Sequence, residues 1–213
     1  MIEPVEPQLR VVGADAIKHA AAPTIAFHLA IRELSQREVY TVALTAQIQI
    51  EPVQRQHDAE TRARLIDVFG ESERWGDTAR GVLWARHEAL VPSFTGQTDF
   101  DLVVPCSTDL ELATTRYFEA VQDGVVPLQF HFSGSILYRG EEDRLQLTRV
   151  PWHIVARYQF PLEIWRAAAP AGGGLVRLDA DTFAALRRHR HEQALPTLDA
   201  AVADLLAAPV DGP

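Results

Sequence analysis

Cysteine is almost absent from this chain. Cys106 is the single one in 213 residues. That excludes an intramolecular disulfide, and any cysteine-rich zinc or iron–sulfur site built within one chain. A cationic surplus is absent too. The net charge of −9 argues against generic binding to nucleic acid or an anionic membrane, both of which need a positive surface. No apolar run approaches the ~20 residues that span a bilayer. The opening Met1-Ile2-Glu3-Pro4-Val5-Glu6-Pro7 is acidic and proline-broken, whereas a secretory signal needs a basic segment followed by an apolar one. The expectation is a soluble cytoplasmic protein with no membrane span and no nucleic-acid partner.

Motifs that carry chemistry are missing as well. Among eight histidines, at 19, 28, 57, 87, 131, 153, 189 and 191, no pair has the H-x-x-x-H spacing of a helical metal site. Gly172-Gly173-Gly174 lacks the lysine and Ser/Thr of a phosphate loop and reads as a flexible link. Ser133 precedes Gly134, but the G-x-S-x-G turn of a nucleophile elbow is not there. No catalytic residue and no cofactor are expected from these patterns.

What is present is an ordinary globular composition, 47% apolar and 23% charged, arranged mostly with strand periodicity. Phe27, Leu29 and Ile31 alternate with His28, Ala30 and Arg32. After a turn at Ser35-Gln36, one face of the next segment carries Tyr40, Val42, Leu44, Ala46, Ile48 and Ile50. These two segments are expected to pair as a hairpin. Between His57 and Trp75 a helix is expected, with Asp58 as N-cap, Leu65, Ile66 and Phe69 on one face, and Gly70 at its end. Val82–Val91 and Phe100–Val104 read as strands.

A helix then follows Cys106, opened by a Thr108/Glu111 capping box, with Leu110, Ala113, Tyr117 and Val121 as its buried stripe and Gly124 as its end. Leu128, Phe130, Phe132, Ile136 and Tyr138 share a strand face, with Gly134 marking a bulge or a close backbone approach. Arg139–Asp143 turns into a strand at Leu145–Thr148. From Pro161 the chain becomes helical, with a possible short strand at Leu175–Leu178 and helices near Thr182–His191 and Leu198–Ala207.

The fold class read from this order is α+β and mainly antiparallel β. It is a one-sided sheet or β-sandwich with a capped helix inserted and helices at the C-terminal end. Residues 1–213 are read as one domain, with a β-rich part at about 8–160 and a helical part at about 161–207.

Each candidate residue has a plain alternative. Cys106 precedes a helix start that would activate a thiol, yet it is in phase with Phe100, Leu102 and Val104, and free cysteine is commonly a small core residue. His28 and His131 lie on polar strand faces and could converge on a metal, or simply face solvent. Arg187-Arg188-His189-Arg190-His191 spreads around a helix and suits its C-terminal dipole better than a binding stripe. Trp75, Trp84, Trp152 and Trp165 read as packing residues, although an exposed one would mark an interface.

The chain resembles a small bacterial family of uncharacterised proteins of about this length. The resemblance rests on Phe69-Gly70 with Trp75, Phe94-Thr95-Gly96, Val104-Pro105-Cys106, Tyr117-Phe118 and Val126-Pro127-Leu128. It continues through Phe132-Ser133-Gly134, Val150-Pro151-Trp152 and Leu195-Pro196-Thr197, covering about Leu9 to Leu206. The family is classed as a domain of unknown function with members encoded near nickel–iron hydrogenase genes, and it brings no catalytic residues. A longer helix expected after Trp165 is replaced here by Ala167-Ala168-Ala169-Pro170 and the glycine tract.

The resulting expectation is a non-enzymatic accessory protein that binds a protein partner, in hydrogenase assembly or maturation if the resemblance extends that far. The alternatives are a small-molecule or metal carrier with a site near Cys106 and His131, and a hydrolase with a site no motif reveals.

Overall fold

The computed structural model describes residues 7–18, 20, 23–106, 112–140, 144–168 and 178–207. It is an α+β structure of antiparallel sheets in two compact units, Met1–Gly173 and Gly174–Pro213. In the first unit, β1 (Pro7–Ala16), β2 (Thr24–Glu33) and β6 (Gln97–Pro105) form a three-stranded sheet in the order β1-β2-β6. β3 (Glu38–Ile50), β4 (Val82–Val91), β5 (Phe94–Thr95), β7 (Val125–Arg139), β8 (Leu145–Arg149) and β9 (Val155–Pro161) form a six-stranded sheet. Among the described residues, no helix is long and apolar enough to cross a membrane.

The two sheets face one another across a shared apolar layer. Phe27 of β2 is fully buried, and its ring meets Trp84 of β4, Phe130 of β7 and Phe160 of β9 at 5.1–6.0 Å. Period-2 alternation in each strand supplies the inward residues: Leu29 and Ile31 from one sheet, Leu44, Ile48, Phe132 and Ile136 from the other.

The expected β2–β3 hairpin is not formed. β2 pairs with β1 and β6, while β3 pairs with β4, β5 and β7, so the turn at 34–37 crosses from one sheet to the other. Alternation alone cannot separate these outcomes, because either arrangement buries the same apolar faces. The crossing is held by Glu33, a fully buried carboxylate that accepts from the Ser35 N–H at 2.7 Å, the Ser35 hydroxyl and the Arg37 N–H at 2.9 Å. Tyr40 also departs from its expected face. A register shift between Val39 and Thr41 turns it outward, and Val39 takes the buried position.

Gly134 is a close approach, as its place in the strand implies. A Cβ there would lie 1.9 Å from the Ala43 carbonyl oxygen, and its φ of +137° is one that L side chains rarely adopt. Around it β7 changes neighbours on one edge, pairing with β9 over 125–131 and with β8 over 135–139. The β7–β8 hairpin closes through Gly140, although 141–143 lie outside the described residues.

The helix expected between His57 and Trp75 is broken into α1 (Ala59–Arg64), α2 (Ile66–Phe69) and, from the tryptophan itself, α3 (Trp75–Thr78). Asp58 caps α1 by accepting from the Thr61 N–H at 2.6 Å, and Gly70 ends α2 at φ +75°. Leu65 and Phe69 are buried, but Ile66 is exposed.

The described part of the next helix is α4 (Leu112–Ala120), with Tyr117 and Val121 buried as expected. Thr108, Leu110 and Glu111 lie outside the described residues, as does the side chain of Ala113. α5 (Leu162–Ala168) packs on β1, β2 and β9.

In the second unit, α6 (Ala180–Glu192) is capped by Asp179 and packs on α7 (Leu198–Ala207), which is capped by the Thr197 hydroxyl. The glycine tract falls outside the described residues, as does the strand expected at Leu175–Leu178 apart from Leu178, which is in no strand. β1 and β9 have no counterpart among the strands read from periodicity.

Candidate functional site

Cys106 follows directly after β6 and belongs to the core. Its N–H donates to the Pro23 carbonyl at 2.7 Å, and burial pushes its thiol pKa up to about 12. It shares a small cavity of about 110 Å3 with His87, Thr114 and Trp165, and no hydrogen bond joins the thiol to the imidazole. A thiol this buried is protonated at neutral pH, so it is a poor nucleophile and a poor metal ligand as it stands.

His131 is half-buried on the opposite face of β7 from Phe130 and Phe132, where it meets Gln129 at 3.0 Å. The core residue Cys106 and the outward residue His131 are therefore not brought together. His28 is on a different sheet and faces away from the shared core, so it does not converge with His131 either.

Its own partners are two carboxylates. Asp101 of β6 lies 2.6 Å from Nδ1 and Asp15 of β1 lies 2.9 Å from Nε2. Those hydrogen bonds, Asp101 first, raise its pKa above the ordinary 6.5. Gly13, directly opposite in the register, leaves room for the ring; a Cβ there would meet it at 3.0 Å. Among the described residues, no three histidine, cysteine or acidic side chains are placed to hold a metal ion, and Ser133 has no hydrogen bond to a histidine.

Spacing does not single out His57, yet the fold half-buries it and shifts its pKa. It stands between the rings of Trp75 and Tyr117, 3.0 Å from the buried Tyr117 hydroxyl. Burial and then the charge of Arg55 lower its pKa, which favours the neutral ring, whose Nε2 faces the Tyr117 hydroxyl as a hydrogen-bond partner. Burial raises the Tyr117 pKa. The Trp75 indole donates to Gly70, and Arg55 donates to the Val125 carbonyl at 2.7 Å. These groups satisfy one another, which makes the cluster a seam holding 52–76 against α4.

The basic run on α6 is drawn to the helix end, where His189 meets Asp204 of α7 at 2.8 Å.

The surface that stands out is apolar. Directly opposed residues in an antiparallel sheet point to the same side. Leu90 opposes Ala43 across β4 and β3, and Leu137 opposes Leu147 across β7 and β8. All four face away from the core, because their neighbours Val42, Val91 and Ile136 are buried inward. Leu90 is 69% exposed and Leu147 is 67% exposed; Leu145, next on the same face of β8, is exposed as well. The Glu38–Arg139 ion pair borders this patch at 2.9 Å. Trp152, in the turn between β8 and β9, is 87% exposed, unlike the buried Trp75 and Trp84.

A family model described as a family of unknown function, DUF6084, matches residues 4–212. The chain belongs to this family. The match spans nearly the whole chain, as the resemblance read from the turn and core motifs implies. No curated protein matches the chain. This DUF6084 member has a packed core and hydrogen-bonded polar clusters, with leucines left open on one sheet face.

Proposed function

We propose that this protein is a non-enzymatic accessory module that binds a protein partner through the outer face of its six-stranded sheet. The observation that carries the reading is a pair of apolar contacts on that face, Leu90 opposite Ala43 and Leu147 opposite the half-buried Leu137. They are set one diagonal step apart, because Ala43 opposes Ser135 and Leu137 opposes Thr41. Single surface leucines are ordinary, but apolar residues grouped on one face and rimmed by polar ones mark interaction surfaces. Each such leucine contributes roughly 1.5–3 kcal/mol when a partner buries it fully. The resemblance to proteins encoded beside nickel–iron hydrogenase genes directs the search for that partner to hydrogenase assembly or maturation.

The experiment is affinity purification from the native host under several growth conditions, with wild-type chain and the double variant Leu90→Glu/Leu147→Glu. A stoichiometric protein retained by the wild type and lost from the folded variant is the expected result. Recovery of the chain alone under every condition, or equal retention by both forms, would overturn the reading.

A further inference from the structure

We infer that the groove between β1 and β9 takes an extended acidic segment of another protein, which pairs its backbone with the free edge of β1. The inference rests on reading the chain as a protein-binding module, but it concerns a different surface from the leucine patch.

Among the described residues, β1 pairs with β2 alone and β9 with β7 alone. The two strands run beside one another without joining their sheets. Between them, at 7–11 and 153–157, lies a groove of about 600 Å3. Each free edge presents backbone N–H and C=O groups, which a strand added alongside would satisfy.

Charge identifies the occupant. In a chain of net charge −9, the groove is lined by Arg10, Arg157 and His153 and, among the described residues, by no acidic one. Both arginines are exposed, and neither has an ion-pair partner among the described residues. Leu9 and Val11 of β1 point inward while Gln8 and Arg10 point outward. A strand laid beside them continues that alternation. Its inward positions should be apolar, and its outward positions acidic, to meet Arg10 and Arg157. Five paired residues of β1 span roughly 16 Å, so a segment of about six residues is long enough.

The test uses the whole chain and three capped hexapeptide probes: alternating valine and glutamate, the same with lysine for glutamate, and the glutamate form N-methylated at alternate residues. Binding is followed by fluorescence anisotropy at low salt and by amide exchange. The glutamate peptide is expected to bind roughly ten-fold more tightly than the lysine peptide and to slow exchange at Gln8–Val11. N-methylation should abolish binding, because it removes the donors that pair with the edge. Arg10→Glu/Arg157→Glu should reverse the preference between the charged peptides.

No saturable binding at millimolar peptide, equal binding of both charged forms, or an unreversed preference would each overturn the proposal. The wild-type comparison stands even where the double variant folds poorly. A partner captured through the leucine patch that ignores these peptides would leave the accessory reading intact while removing this one.

Discussion

His28 and His57 are perturbed in opposite directions, and pH separates them. His28 is held by Asp101 and Asp15, so its folded pKa lies above the ordinary 6.5. The stability it contributes is fully present below that value and is lost as pH rises through the folded pKa. His57 is buried beside Arg55, and its folded pKa lies below 6.5. Its contribution is present above 6.5 and is lost as pH falls toward the folded pKa. Urea titrations at about pH 5.5 and about pH 8 should therefore show that His28→Asn loses more stability at the lower pH. His57→Asn should change the balance the other way. Equal losses at both pH values would mean that neither contact survives in solution. Only the residue types were legible in the sequence here. The carboxylates that flank His28 come from strands 13 and 73 positions away, and no local pattern encodes that meeting.

Elements were legible where local chemistry decided them. Asp58, Gly70 and Thr197 cap or end helices as their types predict, and the β7–β8 turn forms where the polar run places it; Asp179, which caps α6, was not read from the sequence. The β2–β3 connection was not legible, because alternation fixes which face a residue takes but not which strand edge it meets. Glu33 decides that connection, turning its carboxylate inward to bind the N–H groups of Ser35 and Arg37. Glu33→Ala leaves these donors without their acceptor, and each such loss costs about 1–3 kcal/mol. A fall of roughly 2–5 kcal/mol in unfolding free energy is expected for the variant. Chemical denaturation measures it; a change below about 0.5 kcal/mol would show that water replaces the carboxylate. β1 was missed for a related reason: it carries Gly13 and a register shift at Val11/Gly13. β9 does alternate, with Val155, Arg157 and Gln159 outward and Ala156, Tyr158 and Phe160 inward, so its period was present in the sequence and went unread.

At the scale of the molecule, the main core cluster runs from Leu9 to Leu162 and so lies wholly in the first unit. In the second unit α6 buries no residue and α7 buries Ala201. A chain ended after Ala168 is therefore expected to keep a cooperative thermal transition within about 5 °C of the full chain. Non-cooperative melting of the shorter chain would mean that the core depends on 174–207.

The sequence by itself determined the α+β class, the alternating faces, the caps and the absence of a recognisable catalytic motif. Each of these is set by neighbours within a few positions, through side-chain period, capping hydrogen bonds and turn chemistry. Only the tertiary structure decided that β2 and β3 belong to different sheets. It also decided that Cys106 and His131 stay apart, that leucines line an outer face, and that two strand edges flank a cationic groove. Those features depend on which distant edges pair. Many registers bury the same apolar faces, and it is the packing of the two sheets on one another, with Phe27 between them, that selects one.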